Sequence, residues 1–128
     1  MFENICNFEE KNIMIIKFDE IDLSILPSFK GGEKEFQANM FFDGTNRILR
    51  GRLTPGSSIG FHTHEDSCEV IFITKGQGIT IEQAPGEERV SKEVIQGDCL
   101  YCPKGHSHCL KNTSEAGDLE FLAVVPQQ

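Results

Sequence analysis

Residues 56–76 of this chain read GSSIGFHTHEDSCEVIFITKG, a stretch that combines strand-forming residues with three potential metal ligands. His62 and His64 are two residues apart, and side chains at positions i and i+2 of a strand point to the same face. Glu69 would point to the opposite face if one strand ran through the whole stretch. The turn-prone segment 65–67 restarts the alternation. We therefore expect Glu69 to join both histidines on the inner face of a neighbouring strand.

A fourth candidate ligand, His108, follows a second turn at residues 103–105. Imidazole and carboxylate ligands without a thiolate suit Fe, Mn, Ni, Co, Cu or Zn. In an octahedral shell, four protein ligands leave two positions for water, substrate or dioxygen. The interior of a β-barrel is a place where separate strands converge on one point. The sequence therefore predicts one divalent transition metal ion bound by His62, His64, Glu69 and His108.

Short strand-like runs, separated by Gly, Pro and Asp turns, recur along the chain. The predicted runs are 13–18, 35–42, 47–53, 58–64, 69–74, 78–83, 89–95, 99–102, 107–112 and 119–125. Residues 19–33 lack a regular pattern, and we interpret them as one helical turn and a glycine loop. Evenly spaced strands of this kind are typical of an all-β sandwich or barrel, and the length of 128 residues suits a single domain.

The positions around these ligands resemble the two signature motifs of the cupin superfamily. The first motif, G-x5-H-x-H-x(3,4)-E-x6-G, is matched by Gly56, His62, His64, Glu69 and Gly76. The second, G-x5-P-x-G-x2-H-x3-N, is matched by Gly97, Pro103, Gly105, His108 and Asn112. We interpret Asn112 itself as a hydrogen-bonding residue at a strand end.

The resemblance implies a double-stranded β-helix, or jelly-roll β-barrel, whose four side chains bind the metal. We expect the barrel to comprise residues 35–128, and residues 1–34 to form an N-terminal segment that packs on the barrel or swaps with a neighbour. The resemblance does not imply a reaction, because cupins include dioxygenases, decarboxylases, sugar isomerases, sensors and storage proteins.

Four further residues are candidates for contact with a substrate. Arg50 and Arg52 share one face of run 47–53, where they would hold a substrate carboxylate if they faced the cavity. A solvated face is favoured, because unpaired arginines are seldom buried. His106 either shares the inward face of His108 as a catalytic acid or base, or protrudes into water. Tyr101 is a hydrogen-bond donor in the pocket or, as we favour, a packing residue.

The five cysteines are interpreted as reduced thiols without a catalytic role. Their number is odd and no export signal precedes them. The Cys99-x-x-Cys102 pair ends a short strand instead of starting a helix, as a redox motif would require. A zinc ribbon would need a second such pair, which the sequence lacks.

The net charge of the chain and the pattern of its apolar residues indicate which classes of partner to expect. Acidic residues outnumber basic ones by 20 to 12, for a net charge of −8, which disfavours nucleic acid and anionic membranes. No signal peptide or membrane span is recognisable, so a cytoplasmic location is expected. Val70, Phe72 and Phe61 would face outward. Their cover would come from the N-terminal segment (Ile13, Ile15, Phe18) or from a second subunit, and we expect a C2 homodimer.

The function predicted from these features is that of a metalloenzyme acting on a small polar or anionic metabolite. An oxygenase, a decarboxylase or an isomerase would fit. The alternative is a non-catalytic binding or sensing module that uses the metal as an anchor for a small molecule. A purely structural metal is disfavoured by the two open coordination positions. Three strand carboxylates, whose faces the sequence leaves open, are further acid/base candidates: Glu82, Glu93 and Glu120.

Overall fold

The computed structural model describes residues 15–128, which form ten strands and two short 3₁₀ helices. The strands are β1 (Leu23–Pro27), β2 (Glu35–Phe42), β3 (Arg47–Leu53), β4 (Ser58–Thr63), β5 (Glu69–Lys75), β6 (Gln77–Gln83), β7 (Val90–Ile95), β8 (Cys99–Cys102), β9 (Ser107–Asn112) and β10 (Leu119–Val125). The 3₁₀ helices span Phe18–Glu20 and Phe29–Gly31. The part of the chain described in the structure contains no helix with the length and apolar character needed to cross a membrane.

Two antiparallel sheets face each other across one hydrophobic core. The larger sheet has the strand order β1-β2-β3-β10-β5-β8, and the smaller has the order β4-β9-β6-β7. Side chains alternate between the core and the outer faces, as the period of a strand requires. Ile71 and Ile73 of β5 are buried in the core, whereas Phe72 between them is 46% exposed on the outer face. This arrangement confirms the predicted jelly-roll barrel.

Nine of the ten predicted runs correspond to strands whose ends agree within one residue. Run 13–18 is wrong for the residues the structure describes, because residues 15–17 have no regular structure and Phe18 begins a 3₁₀ helix; positions 13 and 14 lie outside the described residues. Strand β1 lies instead within the segment 19–33 that was predicted to be irregular. It is held by its pairing with β2, from Leu23 opposite Asn39 to Pro27 opposite Glu35. Four of its five residues are exposed and the last is a proline, so β1 lacks the alternation of buried and exposed residues that predicts a strand.

The segment that follows β1 lies directly against β4 through two glycines. A Cβ atom added to Gly60 would overlap the backbone carbonyl oxygen of Lys30, and one added to Gly32 would overlap that of Ser58. The amide of Ser58 donates to the carbonyl of Glu33 at 3.0 Å, and the amide of Glu33 donates to the Ser58 hydroxyl at 2.8 Å. The turn that carries Phe29 and Lys30 is therefore fixed to the strand that leads to the histidines.

Asn112 ties β9 to the rest of the barrel from a fully buried position. Its side-chain amide donates to the carbonyls of Leu53 and Gly117, each at 2.8 Å. Its side-chain oxygen accepts from the amide of Ser114, also at 2.8 Å. The residue lies at the end of β9 and acts there through hydrogen bonds, as the sequence predicted.

The outer face of the six-stranded sheet carries an apolar row. Ile48, Val124, Val70 and Tyr101 lie opposite one another across β3, β10, β5 and β8. Of the three residues expected to cover this surface, Ile13 lies outside the described residues and Ile15 is 73% exposed. Phe18 lies near Arg50 of β3, whose guanidinium carbon is 5.7 Å from the centre of its ring.

Candidate metal centre

Four side chains converge at one end of the barrel. One ligand atom from each of His62, His64, Glu69 and His108 lies within 4.8 Å of the others. Oε1 of Glu69 lies 3.1 Å from Nε2 of His64 and 2.9 Å from Nε2 of His108. The three imidazole rings form a triangle with centre-to-centre distances of 4.9 Å. The structure therefore brings together the four residues that the spacing singled out, and this group could hold a metal ion.

Local strand geometry explains this convergence. His62 and His108 are directly paired across β4 and β9, with an irregularity in β4 between Ile59 and His62. His64 lies just beyond β4, where its amide donates to the carbonyl of His106 at 3.0 Å. The chain then turns through residues 65–68 and enters the opposite sheet at Glu69. The turn thus moves the carboxylate to a different sheet while keeping it on the inner side.

Hydrogen bonds behind the cluster orient two of the rings. Nδ1 of His62 lies 2.7 Å from the carbonyl oxygen of Gly60, so this nitrogen carries the proton and donates it. Nε2 of His62 is then left as the unprotonated atom facing the cluster. Nδ1 of His64 lies 3.0 Å from the hydroxyl oxygen of Ser67. Partners of this kind fix the orientation and basicity of metal-binding histidines.

The protonation states of Glu69 and His62 near neutral pH are those that favour metal binding. Burial opposes the charge on Glu69, but hydrogen bonds from His108 and His64 outweigh it and lower the pKa of the carboxyl to about 2. Burial also lowers the pKa of His62 from its ordinary value of 6.5. An ionised carboxylate and a neutral imidazole are the forms that a cation requires of its ligands.

The cluster faces a cavity of about 580 Å³ that lies between the two sheets. Its apolar wall is formed by Leu26, Phe29, Phe36, Met40, Leu49, Ile59, Ile71, Leu110, Phe121 and Val125. Four charged side chains also line it, and all are exposed: Lys30, Arg47, Glu65 and Asp66. The charged groups therefore form the rim, whereas the interior is apolar except for the cluster.

The structure does not bring Arg50 and Arg52 to this cavity. Arg50 donates to Asp19 at 2.7 Å and to Asn39 at 3.1 Å, on the outer side of the large sheet. Arg52 donates to Gln37 at 2.6 Å on the same side. Buried Leu49 and Leu53 fix the inward face of β3 at odd-numbered positions. The alternation therefore selects Arg47 as the inward arginine of this strand, a signal that was present in the sequence.

His106 and Tyr101 line a separate cavity of about 240 Å³ and do not line the larger one. Tyr101 is 58% exposed. The backbone of His106 stabilises the local fold. Its amide donates to the carbonyl of Pro103 at 3.0 Å, and its carbonyl accepts from the amide of His64. His108 lines both cavities and forms the wall between them.

The structure also resolves the orientation of the strand carboxylates. Glu82 on β6 is directly paired with His108 on β9 and lines the smaller cavity, where Lys92 lies 2.9 Å from its carboxylate. Glu93 lies on an exposed part of β7, and Glu120 pairs with Lys75 at 3.6 Å. Glu82 is thus the carboxylate nearest in the sheet to a cluster residue. Gly78 and Thr80 of β6 are buried, and alternation along the strand places the Glu82 side chain on the same inward face.

The cysteines lie outside the cluster. Cys68, Cys99, Cys102 and Cys109 are free thiols, and Cys6 falls outside the described residues. Cys102 is paired with Glu69 across β5 and β8. Burial raises the pKa of its thiol to about 12, so it stays protonated and is a poor metal ligand at neutral pH.

The fold and the cluster together define the class of protein as a metal-binding β-barrel. The sequence comparison identifies the family. The family model described as Cupin matches residues 37–128, and the chain belongs to the cupin family.

The chain is similar to several known members of this fold. It is 30% identical to the oxalate-binding protein of Thermotoga maritima over 118 residues, which is 88% of this chain and 93% of that protein. The crystal structure of a predicted oxalate decarboxylase from Thermotoga maritima matches it with a TM-score of 0.77 and 30% identity, covering 90% of this chain and 100% of the other. The cupin domain of Schizosaccharomyces pombe Cnp3 has a TM-score of 0.69 at 8% identity, covers 91% of this chain and 76% of that one, and shows the fold alone.

Proposed function

We propose that this protein is a metal-dependent cupin enzyme that binds a small carboxylate ligand beside a divalent ion. The observation that carries the proposal is the four ligand atoms within 4.8 Å of one another, at the wall of an open cavity of about 580 Å³. Such an arrangement leaves room for a guest molecule next to the ion. A closed site serving structure alone would not need that room.

The residues present fit a transition metal. Three imidazoles and one carboxylate suit Fe, Mn, Ni, Co, Cu or Zn. The Nδ1 atoms of His62 and His64 are already engaged by hydrogen bonds, which leaves their Nε2 atoms for coordination. When bound, the ion would act as a Lewis acid that polarises a ligand oxygen. At the mouth of the cavity the cations Arg47 and Lys30 lie beside the carboxylates Glu65 and Asp66, so an anion would pair with either cation at close range and not with a net positive rim.

The relatives support an anionic ligand. A relative from Thermotoga maritima is named an oxalate-binding protein, and a crystal structure from the same organism is described as that of a predicted oxalate decarboxylase. Both are 30% identical to this chain, and the match covers nearly all of it. The reaction class stays within the range of oxygenase, decarboxylase and isomerase chemistry.

A second candidate function is metal-anchored binding without turnover. It is favoured by the position of His106 and Tyr101, which line the smaller cavity and not the one that contains the cluster. The enzyme and the binding module differ in the residues that they require near the ligand. An enzyme needs a proton donor or acceptor that reaches the ligand, whereas a binding module does not.

We also propose that the protein forms a C2 dimer through the exposed apolar residues on the outer face of the six-stranded sheet. Phe72, Leu122 and Val124 on that face are 46%, 41% and 38% exposed. Burial of such a face against its own copy would remove apolar surface from water. Phe72→Glu should therefore convert a dimer into a monomer, as measured by sedimentation velocity. A wild-type protein that sediments as a monomer would contradict the proposal.

The metal proposal is tested by elemental analysis of protein dialysed after loading with each of several divalent ions. Wild type and His106→Ala should retain about one equivalent, since His106 lies outside the cluster. His62→Ala combined with His64→Ala should retain none and still show the circular dichroism spectrum of a β protein. If the double variant keeps a full equivalent, the ligand assignment is wrong. Turnover of a panel of small acids by the loaded protein then separates the enzyme from the binding module.

A further inference from the structure

We infer that the ligand of the large cavity is a carboxylate that carries an apolar body of several carbon atoms. The inference rests on the proposed function, because the carboxylate would be held at the metal cluster. It goes further by assigning a role to the wall opposite the cluster, which contributes nothing to metal binding.

The wall contains hydrophobic side chains that the core leaves partly uncovered. Leu26, Phe29 and Met40 are the partly buried hydrophobic residues that pack against the core in the described part of the chain. All three line the cavity. Their uncovered surface therefore faces the cavity and can be removed from water by a ligand. Burial of apolar surface is favourable by about 25 cal/mol per Å².

The same wall continues inward to residues of the core itself. Phe36, Leu49 and Phe121 are each no more than 5% exposed and line the cavity from β2, β3 and β10. Ile59 and Leu110 line it from the smaller sheet. These side chains form the closely packed floor of the cavity, and the apolar surface open to a ligand is mainly that of Leu26, Phe29 and Met40.

The volume of the cavity supports the same conclusion. Pockets for ligands of drug-like size have volumes of about 300–1,000 Å³. The cavity, at about 580 Å³, lies within that range. A two-carbon dicarboxylate would fill a small part of this space and would leave the Leu26, Phe29 and Met40 side chains uncovered.

The distribution of polar groups disfavours a second carboxylate in the interior. Apart from the cluster, the polar side chains that line the cavity are exposed, except those of Ser67 and Cys109. The Ser67 hydroxyl is already bonded to His64, and a cysteine thiol is a weak donor. A carboxylate placed among Phe36, Leu49 and Leu110 would lose its hydration without gaining a partner.

The test uses the full chain loaded with Co(II), whose visible absorption reports a change in its ligands. The probes are acetate, butanoate, hexanoate and oxalate, and dissociation constants are measured by absorption and by calorimetry. Each buried methylene contributes about 0.8 kcal/mol, so hexanoate should bind about 200-fold more tightly than acetate. Equal binding of acetate and hexanoate would overturn the inference, whereas oxalate, which can chelate the ion with both carboxylates, serves only to report coordination.

Variants assign the effect to the wall. Met40→Gln keeps the length of the side chain but makes it polar, and should weaken hexanoate about tenfold while leaving acetate and Co(II) binding unchanged. If Met40→Gln fails to fold, Phe29→Ser is measured in its place, because Phe29 lies outside the strands of the barrel. Ile25→Gln is the matched control, because Ile25 is 53% exposed and does not line the cavity. An equal loss for hexanoate in the control and in the wall variant would contradict the assignment.

The two proposals fail in different ways. If the protein does not bind Co(II) or any other divalent ion, the proposed function falls and this inference falls with it. If Co(II) binds with one equivalent and carboxylates show no dependence on chain length, the metal centre stands and only the inference about the apolar body is wrong.

Discussion

Nδ1 of His64 lies 3.0 Å from the hydroxyl oxygen of Ser67, three residues further along the chain. Ser67 also forms an isolated β-bridge with Gln127. The amide of Gln128 donates to the carbonyl of Asp66 at 2.8 Å on the same side. The hydroxyl that orients one ring of the cluster is thus itself held by the last residues of the chain.

Ser67→Ala should therefore weaken metal binding without preventing it. Loss of a hydrogen-bonding partner behind a ligand typically lowers metal affinity about 10–100-fold. We expect about tenfold, measured by competition with a chromophoric chelator. Ser91→Ala on the exposed strand β7 is the matched control and should leave the affinity unchanged. An unchanged affinity in Ser67→Ala would show that His64 needs no such partner.

Acid should destabilise the metal-free protein through Glu69. Its pKa is about 2 in the folded state against an ordinary value of 4.5, so folding favours the ionised form. Its contribution to stability is therefore complete above about pH 4.5 and is lost as the pH falls toward 2. We expect the free energy of unfolding, measured by urea denaturation, to fall across this window.

Glu69→Gln should flatten that dependence, because the glutamine side chain does not titrate. Glu33→Gln is the control: a hydrogen bond from Lys111 lowers the pKa of Glu33, but this carboxyl lies at the surface. Its replacement should change the pH profile much less. A Glu69→Gln profile as steep as that of the wild type would contradict the assignment.

Asn112→Ala should be among the most destabilising substitutions outside the core. Removal of its amide leaves the buried carbonyl of Leu53 and the partly buried carbonyl of Gly117 and amide of Ser114 without this partner. Each such loss costs about 1–3 kcal/mol, and we expect about 3 kcal/mol in total. Urea denaturation at neutral pH measures it. Gln96→Ala, at an exposed turn, should change the unfolding free energy by less than about 0.5 kcal/mol. Similar values for the two variants would refute the role given to Asn112.

Gly60→Ala should destabilise the barrel by about 3 kcal/mol, because the new methyl group would overlap the carbonyl oxygen of Lys30. Gly117→Ala is the matched control, since its added Cβ would meet no atom nearer than 3.8 Å. Thermal unfolding followed by circular dichroism compares them. If Gly60→Ala unfolds at the temperature of the control, segment 30–32 is not pressed against β4 as described.

Most of the fold was predictable because strand alternation and turn residues are local signals. The cluster of His62, His64, Glu69 and His108 was predictable for the same reason, since spacing within and between strands fixes which side chains share a face. Strand β1 was not, because four of its five residues are exposed and it ends in a proline, so it lacks the alternation that marks the other strands.

The sequence left open which face of β3 is inward, although a solvated face was favoured for Arg50 and Arg52. Arg50 and Arg52 were correctly placed on one face, but their own positions do not say which face is inward. Only the buried neighbours Leu49 and Leu53 decide this, and they assign Arg47 to the cavity. The division between the two cavities depends on three-dimensional packing around His108, for which no pattern in the sequence gives a signal.

The contact between Gly32 and Gly60 has a consequence for how a guest molecule is admitted. It brings the backbone of the turn bearing Phe29 against the strand that leads to the histidines, which limits how far the cavity can widen on that side. Arg47, Asp66 and Gln127 also line the cavity, and their exposed side chains have more freedom to move. A covalent crosslink between these exposed residues would slow both uptake and release of the guest molecule. Its dissociation constant would stay nearly unchanged.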